Sequence, residues 1–326
     1  MNHPTANDAA AKLAVEQLAG DVQPSPEYGL FHPRILIPFL LLALTWGSTW
    51  LVIRDQISVV PSSWSVSYRI AIATVGMFLL AKVMRLKLGM DGKAHGWAVI
   101  FGILQFMLNF NLVYAAEAYV TSGLVAVLFA LLIVPNAVLG WLWLGKPVAR
   151  SFWIGTLIAM AGVAMLILRE YRAAPIGAAE VLIGTGLTLI AIISVSVANV
   201  LPASRRLNRY PVISVIAWGM LYGALFNVGW SLIFHGLPSW DARASYIGGV
   251  LYLAIIGSVV TFPLYFNLIR DIGPGRAAYT TVLIPVVAML LSTLFEGYVW
   301  TALSAFGALL AMIGLLIAMQ ARKLPR

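Results

Sequence analysis

The sequence predicts an all-α integral membrane protein whose ten transmembrane helices form two inverted repeats of five helices each. Three observations lead to this prediction: the composition, a series of long apolar segments, and a pattern of glycine, proline and charged residues that recurs 150 positions later. Hydrophobic residues make up 61% of the 326 positions and charged residues only 10%. Because a soluble domain carries roughly 25% charged residues, this composition indicates a chain folded in lipid.

Ten segments have the length and composition of membrane-spanning helices. A helix crosses about 30 Å of hydrocarbon with about 20 apolar residues, and it pairs its own backbone polar groups where no water is present. In chain order, the predicted spans are Ile35–Ile53, Trp64–Val83, Gly96–Ala116, Ser122–Leu144, Phe152–Leu168, Ala178–Leu201, Val212–Phe234, Tyr246–Ile269, Ala277–Phe295 and Trp300–Met319.

Basic residues predict the orientation of these spans. With the N-terminus in the cytoplasm, 16 of the 21 Lys and Arg residues lie on the cytoplasmic side, and Arg69 lies inside a span. The four outer residues are Arg54, Arg169, Arg172 and Arg243. This asymmetry follows the positive-inside rule, so we expect both termini in the cytoplasm. Because orientation explains the net charge of +9, nucleic-acid binding is not expected. The absence of cysteine fits a cell (inner) membrane.

An internal repeat divides the chain. The matched pairs are Gly123 and Gly273, Pro135 and Pro285, Lys146 and Glu296, Gly155 and Gly307, and Gly162 and Gly314. Since each half has five spans, the halves must insert in opposite senses, and the equivalent loops differ in charge as an inverted repeat requires. We therefore expect a disordered cytoplasmic tail over residues 1–34, repeats over 35–169 and 178–320, a linker over 170–177, and a cytoplasmic tail over 321–326.

Four short motifs carry a resemblance to a known family. They are Trp46-Gly47-Ser48, Tyr119-Val120-Thr121-Ser122-Gly123-Leu124, Gly273-Pro274-Gly275-Arg276-Ala277-Ala278-Tyr279 and Leu294-Phe295-Glu296-Gly297-Tyr298-Val299-Trp300. In this order across ten spans, they resemble the EamA family of the drug/metabolite transporter superfamily. The resemblance implies two halves forming a basket around a central cavity, and export of amino acids, metabolites or drugs. The family often has Glu where this chain has Lys146, so no role of that acid is carried over.

Neutral polar and aromatic side chains within the spans are the candidate substrate-binding residues. They are Trp46, Ser48, Trp50, Gln105, Asn109, Asn136, Ser196, Asn199, Tyr265 and Tyr279. A polar side chain in lipid either joins helices or lines a cavity, and the sequence leaves both roles open for each residue. Together they predict a neutral cavity with aromatic walls, which suits amino acids, other zwitterions and amphipathic drugs.

Three charged residues near the bilayer are ion-pair or coupling candidates. Arg69 and Glu117 lie at similar depth near the outer face, and a buried guanidinium needs a partner or water. An ion pair between them and a contact of Arg69 with substrate both remain open. Glu296 ends the ninth span, where a helix-end contact and a coupling role are both compatible with its position.

The sequence therefore predicts a carrier for a small metabolite or drug-like solute that works by alternating access, as an exporter. Two alternatives are a membrane-integral enzyme acting on a lipid-linked substrate and a channel or scaffold. The four histidines are far apart in sequence, and no catalytic or phosphate-binding motif is found. Enzyme activity, a cofactor and a metal are not expected, and no oligomeric state is predicted.

Overall fold

The computed structural model describes residues 33–144, 150–173, 178–203, 206–265 and 280–320, and within these ranges it contains helices and turns but no strands. The helices are α1 (Pro33–Gln56), α2 (Ser62–Val83), α3 (Gly92–Gly102), π1 (Ile103–Leu108), α4 (Asn109–Ala116), α5 (Ser122–Ala130), α6 (Ile133–Leu144), α7 (Arg150–Ala173), α8 (Ala178–Val200), α9 (Val212–His235), α10 (Ala244–Leu251), π2 (Tyr252–Val260), α11 (Thr280–Phe295) and α12 (Ala302–Gln320). Lys146, Tyr279, the C-terminal tail and residues 1–32 lie outside the described residues.

Eight candidate membrane spans are long and apolar enough to cross a bilayer. They are Leu36–Gln56, Ser62–Val83, Gly92–Ala116, Ser122–Leu139, Arg150–Arg169, Ala179–Asn199, Val212–His235 and Ala244–Tyr265. Two shorter apolar helices, Leu283–Phe295 and Ala302–Ala318, fall within the ninth and tenth predicted spans. The all-helical prediction is confirmed, and eight of the ten predicted spans coincide with helices of spanning length.

The fourth span is interrupted, although the sequence predicts one continuous helix. α5 and α6 are separated by a turn at residues 131–132. Pro135 has no amide hydrogen and cannot bond to the carbonyl of Leu131, four residues earlier. The amides of Leu131 and Leu132 bond to carbonyls three residues back at 2.9 and 3.0 Å. The helix is therefore tightened and broken just before the proline.

The third and eighth spans each contain a π-helical segment, π1 and π2. Such wider turns are rare and are frequent at functional sites. The hydroxyl of Ser194 donates to the main-chain carbonyl of Leu104 in π1 at 2.8 Å, and the hydroxyl of Ser258 donates to that of Leu253 in π2 at 2.8 Å. In both segments, a serine hydroxyl therefore donates a hydrogen bond to a main-chain carbonyl of the irregular helix.

Glycines bring α7 and α12 into backbone contact. Gly155 lies against Gly314, and Gly162 lies against Gly307. A Cβ atom placed at Gly162 would lie 2.5 Å from the carbonyl oxygen of Gly307, closer than any carbon can approach. These four glycines therefore allow the two helices to pack in close contact.

The remaining helices pack in pairs that bring the first five spans against the last five. α2 packs on α9, α5 and α1 pack on α11, and α4 packs on α8. α3 packs on α9, α2 on π2, α1 on α10, and α6 on α8. Among these contacts, the amide of Asn227 bridges the third and seventh spans, because it accepts from Asn111 at 2.6 Å and donates to the carbonyl of Phe106 at 2.9 Å.

Asp91 joins two loops at the end of the molecule where the basic loops predict the cytoplasm. Its carboxylate accepts the amide hydrogen of Ala94 at 2.8 Å and the hydroxyl hydrogen of Tyr210 at 2.9 Å, and it pairs with Arg209. These hydrogen bonds, and the nearby guanidinium, lower the pKa of Asp91 below its usual range. The carboxylate caps α3 and ties the loop before it to the loop before α9.

Candidate functional site

A cavity of about 150 Å³, partly open to the outside, lies between helices of the first five spans and helices of the last five. Its walls come from α1, α2, π1, α4, α5, α8, π2, α11, the turn at residues 131–132 and the helical residues 261–265. Most of the lining is apolar and aromatic, with a few polar groups in between. This is the composition of small-molecule sites in proteins.

Seven of the predicted site residues line this cavity. They are Trp46, Trp50, Arg69, Gln105, Asn109, Asn199 and Tyr265. Five others lie outside its lining: Ser48, Asn136, Ser196, Glu117 and Glu296. Tyr279 lies outside the described residues. The fold thus brings together residues from the first, second, third, sixth and eighth spans, although the substrate contacts of these residues stay a prediction.

Trp46 forms part of an aromatic wall and also joins two spans. Its indole N–H donates to the hydroxyl of Thr261 at 3.1 Å. Its ring packs edge-on against Tyr265, with ring centroids 5.1 Å apart, and against Phe262 at 5.9 Å. Because its polar group is already paired, Trp46 presents an apolar ring surface to the cavity.

Ser48 lies on the side of α1 away from this wall. Two residues along a helix correspond to a rotation of about 200°, whereas Trp46 and Trp50 lie about 40° apart. The hydroxyl of Ser48 donates to the carbonyl of Thr45 at 2.9 Å and lies 2.7 Å from the hydroxyl of Tyr252. Ser48 therefore joins α1 to π2.

The polar part of the cavity is built around Arg69, which is only 3% exposed. Its guanidinium lies 4.2 Å from the ring centre of Phe110, a cation–π contact. Gln105 and Asn109 are each 5% exposed and lie one turn apart. The side-chain amide of Asn109 donates to the carbonyl of Gln105 at 3.4 Å, which leaves its own oxygen without a donor among the described residues.

The structure does not join Arg69 to Glu117, the ion pair that the sequence leaves open. Within the described residues, no ion pair or hydrogen bond connects the two side chains, and both carboxylate oxygens of the buried Glu117 lack a hydrogen-bond donor. Arg54 donates to the main-chain carbonyl of Glu117 instead. The sequence places the two residues at similar depth, but depth does not specify the direction in which each side chain points.

Glu296 lies just after α11 and accepts a hydrogen bond from the hydroxyl of Ser292, one turn earlier. Ser292 lies in the last turn of α11 and packs against Gly123 at the start of α5. This is the helix-end contact that the sequence allows. A coupling role for Glu296 stays a prediction.

Several lining residues were not singled out from the sequence. They are mainly aromatic or small: Thr49, Phe110, Phe129, Phe262 and Gly257. The centroid of the Phe129 ring lies 5.2 Å from that of Trp50, so this ring adds to the aromatic part of the lining. In spans this rich in apolar residues, a phenylalanine facing a cavity cannot be distinguished by pattern from one facing lipid. The one signal in the sequence is a spacing of four residues, between Trp46 and Trp50 and between Thr49 and Ile53, which puts each pair on one face of the helix.

Apolar spanning helices that surround a cavity with buried polar groups define this chain as a multi-pass membrane protein of the transporter class. The EamA-like transporter family matches residues 34–168 and, a second time, residues 184–320. The chain therefore belongs to the EamA-like transporter family, and the resemblance inferred from its motifs is confirmed.

Relatives and a solved structure agree with this assignment. The chain is 24% identical over 296 residues to Protein PagO of Salmonella typhimurium, with 89% of this chain and 94% of that protein covered. It is 22% identical over 282 residues to the uncharacterized transporter YoaV of Bacillus subtilis, with 86% and 95% covered. A protein of known crystal structure shares the fold, with a TM-score of 0.64, 20% identity, and 89% and 98% covered.

Proposed function

We propose that this protein is a carrier that exports a small metabolite or drug-like solute, an amino acid or related amphipathic compound, by alternating access. One observation is central to the proposal: the cavity lies between helices of two segments that both match the same transporter family. A site between two such segments can be opened to either side by small movements of one segment against the other. The family supplies the class of activity, and the cavity supplies a place for the solute.

The proposal includes ten spans arranged as two inverted halves. The two π-helical segments support it, because π1 and π2 overlap when the first half is shifted by the 150 positions of the sequence repeat. The packing also supports it. In such a repeat each span corresponds to the span five places away, so the first corresponds to the sixth and the ninth to the fourth. The contact between α1 (first span) and α11 (ninth span) then corresponds to a contact between α8 (sixth span) and the fourth span. This second contact is present as well. Such mutual exchange is expected of a pseudo-two-fold axis in the membrane plane.

The chemical character of the two sides of the cavity supports an amphipathic solute. α2 and the third span supply the polar groups, Arg69, Gln105 and Asn109. The first and eighth spans supply aromatic rings, among them Trp46 and Tyr265. A solute with a polar end and an apolar body would satisfy both sides without leaving polar groups buried and unpaired.

The charge distribution supports the proposed placement in the cell (inner) membrane with both termini in the cytoplasm. The ion pair between Asp91 and Arg209 joins two loops that lie at the basic end of the molecule. The opposite end carries four of the basic residues. Retention of basic loops on the cytoplasmic side is the general rule for helical membrane proteins.

Transport by purified protein in liposomes tests the proposed function, with Gly257→Leu as a variant that fills the cavity. A Cβ atom at Gly257 would lie 3.2 Å from the Cγ2 atom of Thr49 in the cavity wall, whereas none of the described atoms lies within 4 Å of a Cβ at Gly248. We expect saturable uptake of at least one solute from a panel of labelled amino acids and amphipathic drugs. Gly257→Leu should lower its rate at least about tenfold, and Gly248→Leu should retain it.

Two results would contradict this function. The first is that none of a broad panel of labelled metabolites and drugs moves faster than in protein-free liposomes. The second is a flux that does not saturate, or a single-channel conductance, either of which would indicate a channel.

A further inference from the structure

Arg69 is a buried cation that forms no ion pair within the described residues. It lies in α2, a helix of spanning length, and is 3% exposed. The charged groups near it at this end of the molecule are Arg54, Glu117 and Glu296. Within the described residues, neither carboxyl group forms an ion pair with Arg69, since Glu117 receives Arg54 at its main-chain carbonyl and Glu296 accepts from Ser292. A buried guanidinium that no carboxylate contacts directly is costly in such surroundings.

The hydrogen-bonding groups of Arg69 are also incomplete. Its Nε and Nη1 atoms have no acceptor among the described residues. The ring of Phe110 covers one face of the guanidinium, and this cation–π contact leaves those N–H groups without an acceptor. The edge of the guanidinium remains available, and Arg69 lines the cavity. Such an edge matches the geometry of a carboxylate, which accepts two parallel hydrogen bonds.

Next to Arg69 lie two acceptors that lack donors. The Oε1 atom of Gln105 and the Oδ1 atom of Asn109 are buried and accept no hydrogen bond from the described residues. Both residues line the same cavity as Arg69. Acceptors of this kind are suited to an ammonium or amide N–H group. An anion-binding donor and two N–H-binding acceptors therefore line the same cavity as the aromatic rings.

We propose that Arg69 binds the carboxylate of the transported solute, and that Gln105 and Asn109 accept hydrogen bonds from an N–H group of the same solute. This inference rests on the proposed transport function and narrows its substrate to a zwitterion with an apolar body. A single carboxylate balances the one guanidinium. A phosphate dianion would leave a net negative charge in a lining that is otherwise apolar or neutral.

Four matched solutes test the role of the carboxylate: phenylalanine, phenylalaninamide, 3-phenylpropanoate and phenyl phosphate. Binding to the full-length purified protein is measured as the rise in its thermal unfolding midpoint with solute concentration. We expect phenylalanine to bind at least about tenfold more tightly than phenylalaninamide, because an ionic hydrogen-bonded contact is lost with the carboxylate. 3-Phenylpropanoate should bind with intermediate affinity, and phenyl phosphate more weakly than either acid.

Variants of Arg69 then test whether this residue is the source of the preference. Arg69→Gln should bring the affinity ratio of acid to amide close to one, and Arg69→Lys should leave an intermediate ratio, because lysine keeps the charge without the planar fork. Arg54→Gln, at the same end of the molecule but outside the cavity lining, should keep the wild-type ratio. A purely structural role of Arg69 would lower all affinities together and leave the ratio unchanged.

The outcomes separate this inference from the proposed function. Equal binding of phenylalanine and its amide, tightest binding of phenyl phosphate, no binding of any of the four solutes, or an unchanged ratio in Arg69→Gln would overturn the carboxylate site. Should Arg69→Gln fail to fold, the comparison of solutes on the wild-type protein and on Arg69→Lys still decides. If the protein binds the acid more tightly than the amide but moves no solute, the transport function would be contradicted and the carboxylate site would be supported.

Discussion

Gly162→Leu should prevent stable packing of α7 against α12 and lower the amount of folded protein. A side chain at this position would meet the carbonyl oxygen of Gly307 and the backbone of Ala311, which cannot move aside as a side chain can. The two helices would have to separate along their whole contact, and the packing that holds helices together in lipid depends on such close approach. We expect a loss of about 3 kcal/mol or more, at the upper end of overpacking effects. Thermal unfolding of the detergent-purified protein measures it.

Gly229→Leu is the matched control for this prediction. Gly229 lies within α9, and none of the described atoms lies within 4 Å of a Cβ built there. The substitution therefore adds the same side chain to another spanning helix without a clash. The same unfolding midpoint for Gly162→Leu and Gly229→Leu would mean that the glycine contact between α7 and α12 is not what stabilises this pair. Gly314→Leu should behave like Gly162→Leu.

Trp46→Ala and Asn109→Ala should lower transport strongly while leaving the amount of folded protein close to wild type. The first removes an aromatic wall of the cavity, and the second removes a buried acceptor that has no donor among the described residues. Loss of one hydrogen bond or one ring contact to the solute corresponds to about 1.4 kcal/mol, or a tenfold lower rate at low solute concentration. Initial uptake rates, divided by the folded protein in each vesicle preparation, measure the effect.

Two other variants distinguish cavity lining from helix packing. Trp153→Ala removes a tryptophan that is 42% exposed on α7, and it should change neither quantity. Asn227→Ala breaks the hydrogen bonds that join the third and seventh spans, so folded protein and transport should fall together. If Trp46→Ala and Asn109→Ala behave like Asn227→Ala, their assignment to the solute site is wrong.

The helices could be predicted from the sequence because lipid imposes a simple requirement on length and composition. Every span needs about 20 apolar residues, and the positions of the basic loops then limit how many spans the chain can contain. The break at residues 131–132 and the π segments could not be predicted in the same way. The helix breaks just before Pro135, yet α11 continues through the equivalent Pro285 without a break. Local packing decides between these outcomes.

The candidate site was predicted in part. Polar side chains are rare in lipid, and each one either joins helices or lines a cavity. That argument selected Gln105, Asn109 and Arg69, which line the cavity. It could not say which way a side chain points, because these helices are apolar on all sides and show no polar face. The sequence therefore left open whether Ser48 lines the cavity and whether Arg69 pairs with Glu117; Ser48 lies outside the lining, and the two charged side chains are not paired within the described residues. Three phenylalanines of the lining, Phe110, Phe129 and Phe262, were missed because nothing in their spacing separates them from lipid-facing rings.

Labelling of single cysteines in intact cells tests the inverted arrangement of the two halves most directly. The chain has no cysteine of its own, so Arg150→Cys and Val299→Cys each introduce one thiol, at the equivalent ends of the fourth-to-fifth and ninth-to-tenth loops. Both positions are exposed. A thiol reagent that cannot cross membranes should label Val299→Cys in intact cells, and should label Arg150→Cys only after the membrane is permeabilised. Labelling of both thiols from the same side would contradict the inverted repeat, and with it a cavity that alternates between the two sides.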